Sequence, residues 1–313
     1  MDLERLTTNK LWFEVIVVND HSEDESASEI QETLSSLSYS IQVVSLEATS
    51  GKKAAIRKGV ELAEHEIIVT LDADCNVSNV WLDEMISSLT ESTNMVVGPI
   101  SYDDNIGFFT KMLALEFSSL VGTAASTIGW GIPSMSNGAN LLFRKSAYTK
   151  YVEEDLDQEV QSGDDIFLMH SISRNYPGSV QFCKRSGAVV ITKPPGTFRH
   201  FISQRGRWAG KWSSYESGFT KTLAVFVFIL HLSLVSAFTV AVFGLISWQL
   251  FLNLFVAKML FEYFYLRQVM NFLGRKMNVV VFLVVQVLYS PYVVLTALMS
   301  QFLANQWKNR PLS

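Results

Sequence analysis

Cysteine is scarce in this sequence, with only Cys75 and Cys183 among 313 residues. Two cysteines build no disulfide framework and suit a reducing compartment, and the lack of CxxC or paired histidine spacing speaks against structural zinc. Basic charge is short as well: 25 Lys and Arg against 30 Asp and Glu leave a net charge of -5. A phosphate-binding surface needs clustered basic residues, so no nucleic-acid partner is expected. The opening MDLERLTTNK has no apolar core of the kind a secretory signal peptide carries. Charge of either sign disappears over Thr222–Ala257 and Asn278–Trp307. Each of these runs exceeds the roughly 20 residues that cross a bilayer. TSGKKAAIRKG lacks the first glycine of GxxxxGK and has no Ser or Thr after the lysine, which disfavours a P-loop ATPase. Lys52 and Lys53, at an expected helix start, still suit a diphosphate.

What is present divides unevenly. Apolar residues make up 49% of the chain and mean hydropathy is +0.22. Residues 1–221 hold almost every charge and read as a soluble α/β domain, while 222–313 read as a membrane domain of about three helices. In the first part β-branched runs alternate with amphipathic ones: FEVIVV, Ser26–Leu37, IQVVSL, Lys52–Glu64, EIIVTLD, Val80–Leu89, NMVVGPI. That rhythm predicts a parallel sheet covered on both faces, with ligands beyond the carboxyl ends of the strands. Those ends carry Asp20, Glu47–Lys53, and Asp72 with Asp74. The first uncharged run suits two helices joined near Gly244–Gln249, followed by Lys258 and Glu262, which read as an i,i+4 ion pair or as a functional intramembrane charge. Arg267, Arg275 and Lys276 precede the third span, which makes that connection, and the large domain with it, cytoplasmic. The tail with Lys308 and Arg310 then falls outside, against the same rule.

Three motifs carry chemistry. TLDADCN sets Asp72 and Asp74 two residues apart at a strand end, as a solvated turn or as hard oxygen ligands for Mg²⁺ or Mn²⁺ on a diphosphate. SGDDIFLMHSI puts Asp164 and Asp165 before an amphipathic helix; either can cap it while the other serves as a general base. SQRGRWAGKW, Ser203–Trp212, is an interfacial anchor of basic and aromatic residues, or a grip in which Arg207 holds phosphates and Trp208 faces a sugar ring.

Taken in order, Asp20, GKK, DAD, NGAN at Asn137–Asn140, GDD and QRGRW, followed by apolar spans, resemble the family 2 glycosyltransferases with a GT-A fold. The resemblance is greatest to the membrane-embedded branch that includes cellulose, chitin and hyaluronan synthases, and it covers residues 12–215. It implies a GT-A-like, mostly parallel, doubly wound α/β domain followed by transmembrane helices, in a multi-pass protein of the cell membrane. The implied reaction is inverting transfer from a UDP-linked or similar nucleotide sugar to a carbohydrate or lipid-linked acceptor, with Mg²⁺ or Mn²⁺. By the same resemblance Asp20, Lys52 or Lys53, and Asp72 face the nucleotide, and Asp74 is the direct metal ligand. Asp165 is the catalytic base beside Asp164. Gln204 and Arg207 meet the diphosphate, and Trp208, with Gly138 and Asn140, borders the acceptor. The family opens with a strand and a Pro-containing loop ahead of the Asp20 strand, so LERLTTNKLW reads as the last turns of a following helix and the first strand as missing. An inactive truncated scaffold and a polyprenyl-phosphate glycosyltransferase are the rival readings.

Overall fold

The structure is a computed structural model that describes residues 2–22, 37–47, 49–103, 107–154, 164–210, 215 and 217–307. The helix expected over Ser26–Leu37 lies outside these residues apart from Leu37, as do Gly163, Lys211, Trp212, Lys308 and Arg310. In chain order the elements are β1 (Glu14–Asn19), β2 (Ser40–Ser45), α1 (Lys52–Leu62), β3 (Ile67–Leu71), α2 (Trp81–Ile86), β4 (Met95–Val97) and β5 (Ile100–Tyr102). There follow α3 (Phe108–Gly129), β6 (Asn140–Arg144), α4 (Lys145–Glu153), α5 (Asp164–Asn175), β7 (Val180–Phe182) and β8 (Val190–Thr192). The last four helices are α6 (Phe198–Ala209), α7 (Gly218–Val242), α8 (Trp248–Phe272) and α9 (Val279–Trp307). LERLTTNKLW forms two short 3-10 turns, Asp2–Arg5 and Lys10–Trp12, rather than the end of an α-helix. Two compact units result: Met1–Ile100 with Thr127–Ile191, and Ser101–Ser126 with Thr192–Ser313.

In the first unit β1 and β2 pair in parallel, from Glu14 opposite Ser40 to Asn19 opposite Ser45. A second sheet has the order β3-β6-β4-β7. Here β4 and β7 run parallel, and β6 lies antiparallel to both β3 and β4. The sheets are therefore mixed: the expected parallel strands are present with one reversed strand among them. Reversal follows from the path, because the chain re-enters the first unit at Thr127 and reaches the carboxyl end of β3, where Asn140 opens β6 opposite Leu71. β4 and most of β6 are buried, as strands in the middle of a sheet are, whereas every residue of β1 and β3 is half-buried. Among the described residues those two strands share no sheet.

In the second unit α7, α8 and α9 start on side-chain caps. Ser217, Ser247 and Asn278 accept hydrogen bonds from the amides of Thr220, Leu250 and Val281 at 3.2, 3.2 and 3.1 Å. α7 and α8 stop at Gly244 and Gly274, both with φ near +73° (73 and 72), the left-handed conformation in which the next amide reaches back to a helix carbonyl. Among the described residues three helices are long and apolar enough to cross a membrane: α7, Val279–Met299 of α9, and Phe108–Gly129, which is α3. About three membrane helices are expected after residue 221; α7, α8 and α9 lie there, and of these α7 and α9 have spanning length and composition. α8, which carries Lys258, Glu262 and Arg267, is not in that set, and α3, not singled out from sequence, is. Lys258 Nζ donates to Glu262 Oε2 and to Gln286 Oε1, each at 2.8 Å, and the Gln286 amide donates to Glu262 Oε2 at 2.7 Å. The closed triangle gives each of the three groups a partner.

Candidate active site

The first unit gathers its acidic residues at the carboxyl ends of β1 and β3. Asp20 follows β1, and its Oδ2 accepts the Gly51 amide at 2.8 Å. Gly51 has φ +98°, and nothing lies within 4 Å of where a Cβ would stand, so conformation rather than space calls for glycine there. His21, the next residue after Asp20, sits at φ 54°, an uncommon conformation for a side-chain-bearing residue, and its Nε2 lies 3.2 Å from the Thr49 carbonyl oxygen. Lys52 opens α1 immediately after Gly51, and its Nζ donates to Asp72 Oδ1 at 2.5 Å. The two side chains are 51% and 40% exposed, so solvent or a ligand can compete for the pair. Asp74 is exposed in the turn closed by the Cys75 amide on the Asp72 carbonyl at 3.1 Å. Lys53, one residue into α1, is half-buried.

The reversed β6 completes the cluster. Its approach turn places Gly138 where the amide donates to Asp165 Oδ2 at 2.9 Å and the carbonyl accepts from Thr70 Oγ1 at 2.9 Å. A Cβ at Gly138 would lie 3.4 Å from Lys52 Nζ and 3.5 Å from Asp165 Cβ, so this backbone runs between the lysine and the acid. Asp164 and Asp165 occupy the first turn of α5, where the helix dipole favours carboxylates. Nearby, burial first and then the Asp164 charge push the Tyr148 phenol up to about 12. Asn140, expected in an acceptor wall, has its side chain in the core instead. It is fully buried, its amide donates to the Pro99 and Ala188 carbonyls at 2.8 and 3.0 Å, and its oxygen accepts from Trp81 Nε1 at 3.0 Å.

For a divalent cation the donor set is two carboxylates: among the described residues no group of three or more His, Cys, Asp or Glu comes together. That set fits Mg²⁺ or Mn²⁺, which retain waters and take one or two protein carboxylates, and it does not fit zinc.

Gln204, Arg207 and Trp208 belong to the second unit, on α6, which Thr197 caps through the His200 amide at 3.2 Å. Arg207 is exposed, with Ser203 Oγ 3.4 Å away. Trp208 is half-buried, its ring centroid 6.3 Å from that of Phe117. Gln204 accepts from the Tyr102 hydroxyl at 3.3 Å. Two residues absent from the sequence expectations stand here, Arg205 and Glu116, paired and buried. A signal for them exists: Glu116 is the only charge between Lys111 and Arg144. A lone acid on an apolar helix needs a buried partner.

Residues 3–151 match the family described as glycosyl transferase family 2. That stretch, 149 of the 313 residues, is similar to the glycosyltransferase family 2 domain. Among curated relatives of the domain, a poly-beta-1,6-N-acetyl-D-glucosamine synthase of Staphylococcus epidermidis is 24% identical over 200 residues, 63% of this chain and 46% of the relative. Polypeptide N-acetylgalactosaminyltransferase 6 of Bos taurus is 31% identical over 209 residues, 59% of this chain and 33% of that protein. The chain therefore spans half or less of the length of these two relatives. Among solved structures, a mannosyltransferase of Pyrobaculum calidifontis with GDP-Man and Mn²⁺ is 17% identical, with a TM-score of 0.47 over 67% of this chain and 55% of that one. S. aureus TarS in complex with UDP is 16% identical, with a TM-score of 0.44 over 69% and 60% of the two chains. The acidic turn, the Gly138 turn and the start of β6 all lie inside the matched stretch, whereas Asp165 and α6 lie beyond it.

Proposed function

We propose that this chain transfers a sugar from a nucleoside diphosphate donor, UDP-linked, to a hydroxyl acceptor of a growing glycan, with inversion at the anomeric carbon, and that it does so at a membrane. The observation that carries the reading is the Gly138 turn, which brings one lysine and two acids from three separate elements to the carboxyl end of β3. Asp20 and Lys53 face the nucleotide. Lys52, whose partner Asp72 is about half exposed, turns to the diphosphate when the donor arrives. Asp72 and Asp74 would hold Mg²⁺ or Mn²⁺, which when bound neutralises charge on the leaving diphosphate. Asp165 is oriented by the Gly138 amide and takes the proton of the acceptor hydroxyl. As that oxygen bonds to the anomeric carbon, the bond from that carbon to the diphosphate oxygen breaks, and one displacement gives one inversion. Arg207 and Gln204 meet the diphosphate, and Trp208 offers its face to the acceptor sugar. α7 and α9 support a multi-pass protein of the cell membrane. In this reading α8 crosses between them with Lys258 and Glu262 paired, so that the basic connection with Arg275 and Lys276 and the transferase domain share the cytoplasmic side.

The test is donor turnover by the full chain in detergent, with a panel of UDP- and GDP-sugars and with Mg²⁺, Mn²⁺ or excess EDTA. Transfer should need the cation and be lost in Asp74→Ala. Undiminished transfer in EDTA would remove the metal role of Asp72 and Asp74, and the absence of transfer from every donor would remove the reading itself.

A further inference from the structure

Arg205 stands between two residues of α6 with proposed roles, yet it faces away from solvent. Its side chain is 4% exposed and that of Glu116 is 7% exposed. Nε donates to Glu116 Oε1 at 2.9 Å and Nη2 to Oε2 at 2.5 Å, a two-pronged pairing that fixes the guanidinium plane. The remaining prong, Nη1, donates to Gln204 Oε1 at 2.6 Å. The carbon of the same plane lies 4.3 Å from the Trp208 ring centroid and 4.9 Å from that of Phe201. Glu116 is steadied in turn by the Tyr292 hydroxyl, which donates to Oε1 at 3.4 Å. Burial alone would lower the guanidinium pKa, but the Glu116 carboxylate outweighs it and holds the pKa above its ordinary value, so the cation is permanent.

Stability alone gives no reason for such a pair, since apolar residues of similar volume commonly replace a buried ion pair without loss. What an apolar pair cannot supply is the bond to Gln204 and the charged plane against the Trp208 indole. The fork on Glu116 settles where both are aimed. We infer that Arg205 and Glu116 form a positioning pair that holds Gln204 by its carbonyl oxygen, leaving its amide N–H groups for the diphosphate, and that sets the ring of Trp208 for the acceptor, without touching substrate themselves. This rests on the roles proposed above for Gln204 and Trp208.

The experiment compares the full chain in detergent with Arg205→Met/Glu116→Leu, Arg205→Lys, Gln204→Ala and Trp208→Ala, reading thermal unfolding together with kcat and KM for the acceptor at saturating donor. The double variant should unfold near the parent temperature while kcat/KM for the acceptor falls about tenfold or more, with the acceptor KM rising as it does in Trp208→Ala. Parent turnover in the double variant, alongside impaired Trp208→Ala and Gln204→Ala, overturns the inference and leaves the proposed function standing. Parent turnover in Trp208→Ala and Gln204→Ala as well removes the roles on which the inference rests. Should the double variant fail to fold, Arg205→Lys decides: it keeps the charge beside Glu116 but has neither fork nor plane, so it should fold and lose turnover, and full turnover overturns the inference.

Discussion

Two ion pairs of this chain show opposite uses of charge. Lys52–Asp72, in the first unit, has both side chains about half exposed (51% and 40%), sits at a helix start and a strand end, and rests against a glycine backbone. Arg205–Glu116, in the second, is almost wholly buried (4% and 7%), two-pronged, and enclosed by Phe117, Phe201 and Trp208. An exposed pair contributes little to stability and can be traded for a ligand's phosphate at small cost. A buried pair cannot be opened, because either partner left alone is an uncompensated charge in a low dielectric. The first arrangement suits groups that must change partners during a reaction; the second suits groups that must hold others still.

The largest effect expected falls on the exposed cluster and on activity rather than stability. Asp165→Asn keeps the size of the side chain and an acceptor for the Gly138 amide but removes the basic oxygen. Transfer should drop by about 10² to 10⁴ while donor binding by calorimetry is retained. If Asp164→Asn is the damaging change and Asp165→Asn is harmless, the base has been placed on the wrong carboxylate.

The buried pair should respond the other way. Glu116→Gln leaves the Arg205 cation without its counter-charge, and unfolding followed in detergent should show a loss of about 3 to 5 kcal/mol. A loss under about 1 kcal/mol would mean that water reaches the pair and that the contrast drawn between the two regions does not hold.

The two regions also differ in how far their sequences disclosed them. Asp20, Asp72 and Asp74 were legible because each follows a β-branched run, and a strand's end can be read from composition over a few residues. Asp165 and Gly138 were legible as residues but not as a pair. Their hydrogen bond depends on β6 running backwards between β3 and β4, and no local periodicity announces the direction of a strand. The same blindness placed Asn140 in the acceptor wall: its neighbour Gly138 is in the cluster, yet the carboxamide turns into the core against Gly98, where a Cβ would meet it at 2.3 Å. Arg205 was hidden for another reason. QRGRW offers two arginines, and which of them is buried is decided by Glu116, 89 positions away on α3. The helix boundaries of the second unit needed no distant information, because Ser247, Asn278, Gly244 and Gly274 act within a turn of where they stand.

A smaller effect is expected from Tyr148, which packs on Phe143 with ring centroids 5.4 Å apart and has a raised pKa, owing first to burial and then to Asp164. A phenol that ionises near 10 when unfolded and at about 12 when folded favours the folded state fully below pH 10, and that contribution is lost as pH rises from 10 to 12. The loss is on the order of 2 to 3 kcal/mol. Tyr148→Phe should flatten the stability profile of the chain in that window without changing it near neutrality. An unchanged alkaline slope in the variant would show that other groups set it.

The smallest effect on stability, and the sharpest test of the contrast, belongs to Lys52→Met. The substitution removes the Lys52 bond to Asp72 while keeping the aliphatic stem beside Gly138. Because both partners are about half exposed, at 51% and 40%, Asp72 left alone is solvated by water. The unfolding free energy should then move by less than about 1 kcal/mol. Binding is a separate matter: a hydrogen bond to a charged group contributes about 1.5 to 3 kcal/mol, so if Lys52 passes from Asp72 to the donor diphosphate, donor affinity should weaken about 10- to 100-fold. The nucleoside monophosphate, which lacks the second phosphate, serves as the control and should bind the parent and the variant more nearly alike. Calorimetry with both ligands, together with denaturant unfolding, separates the outcomes. A stability loss of several kcal/mol with unaltered donor affinity would make Lys52–Asp72 a structural pair like Arg205–Glu116. Loss of affinity at constant stability would mark it as the pair the donor opens.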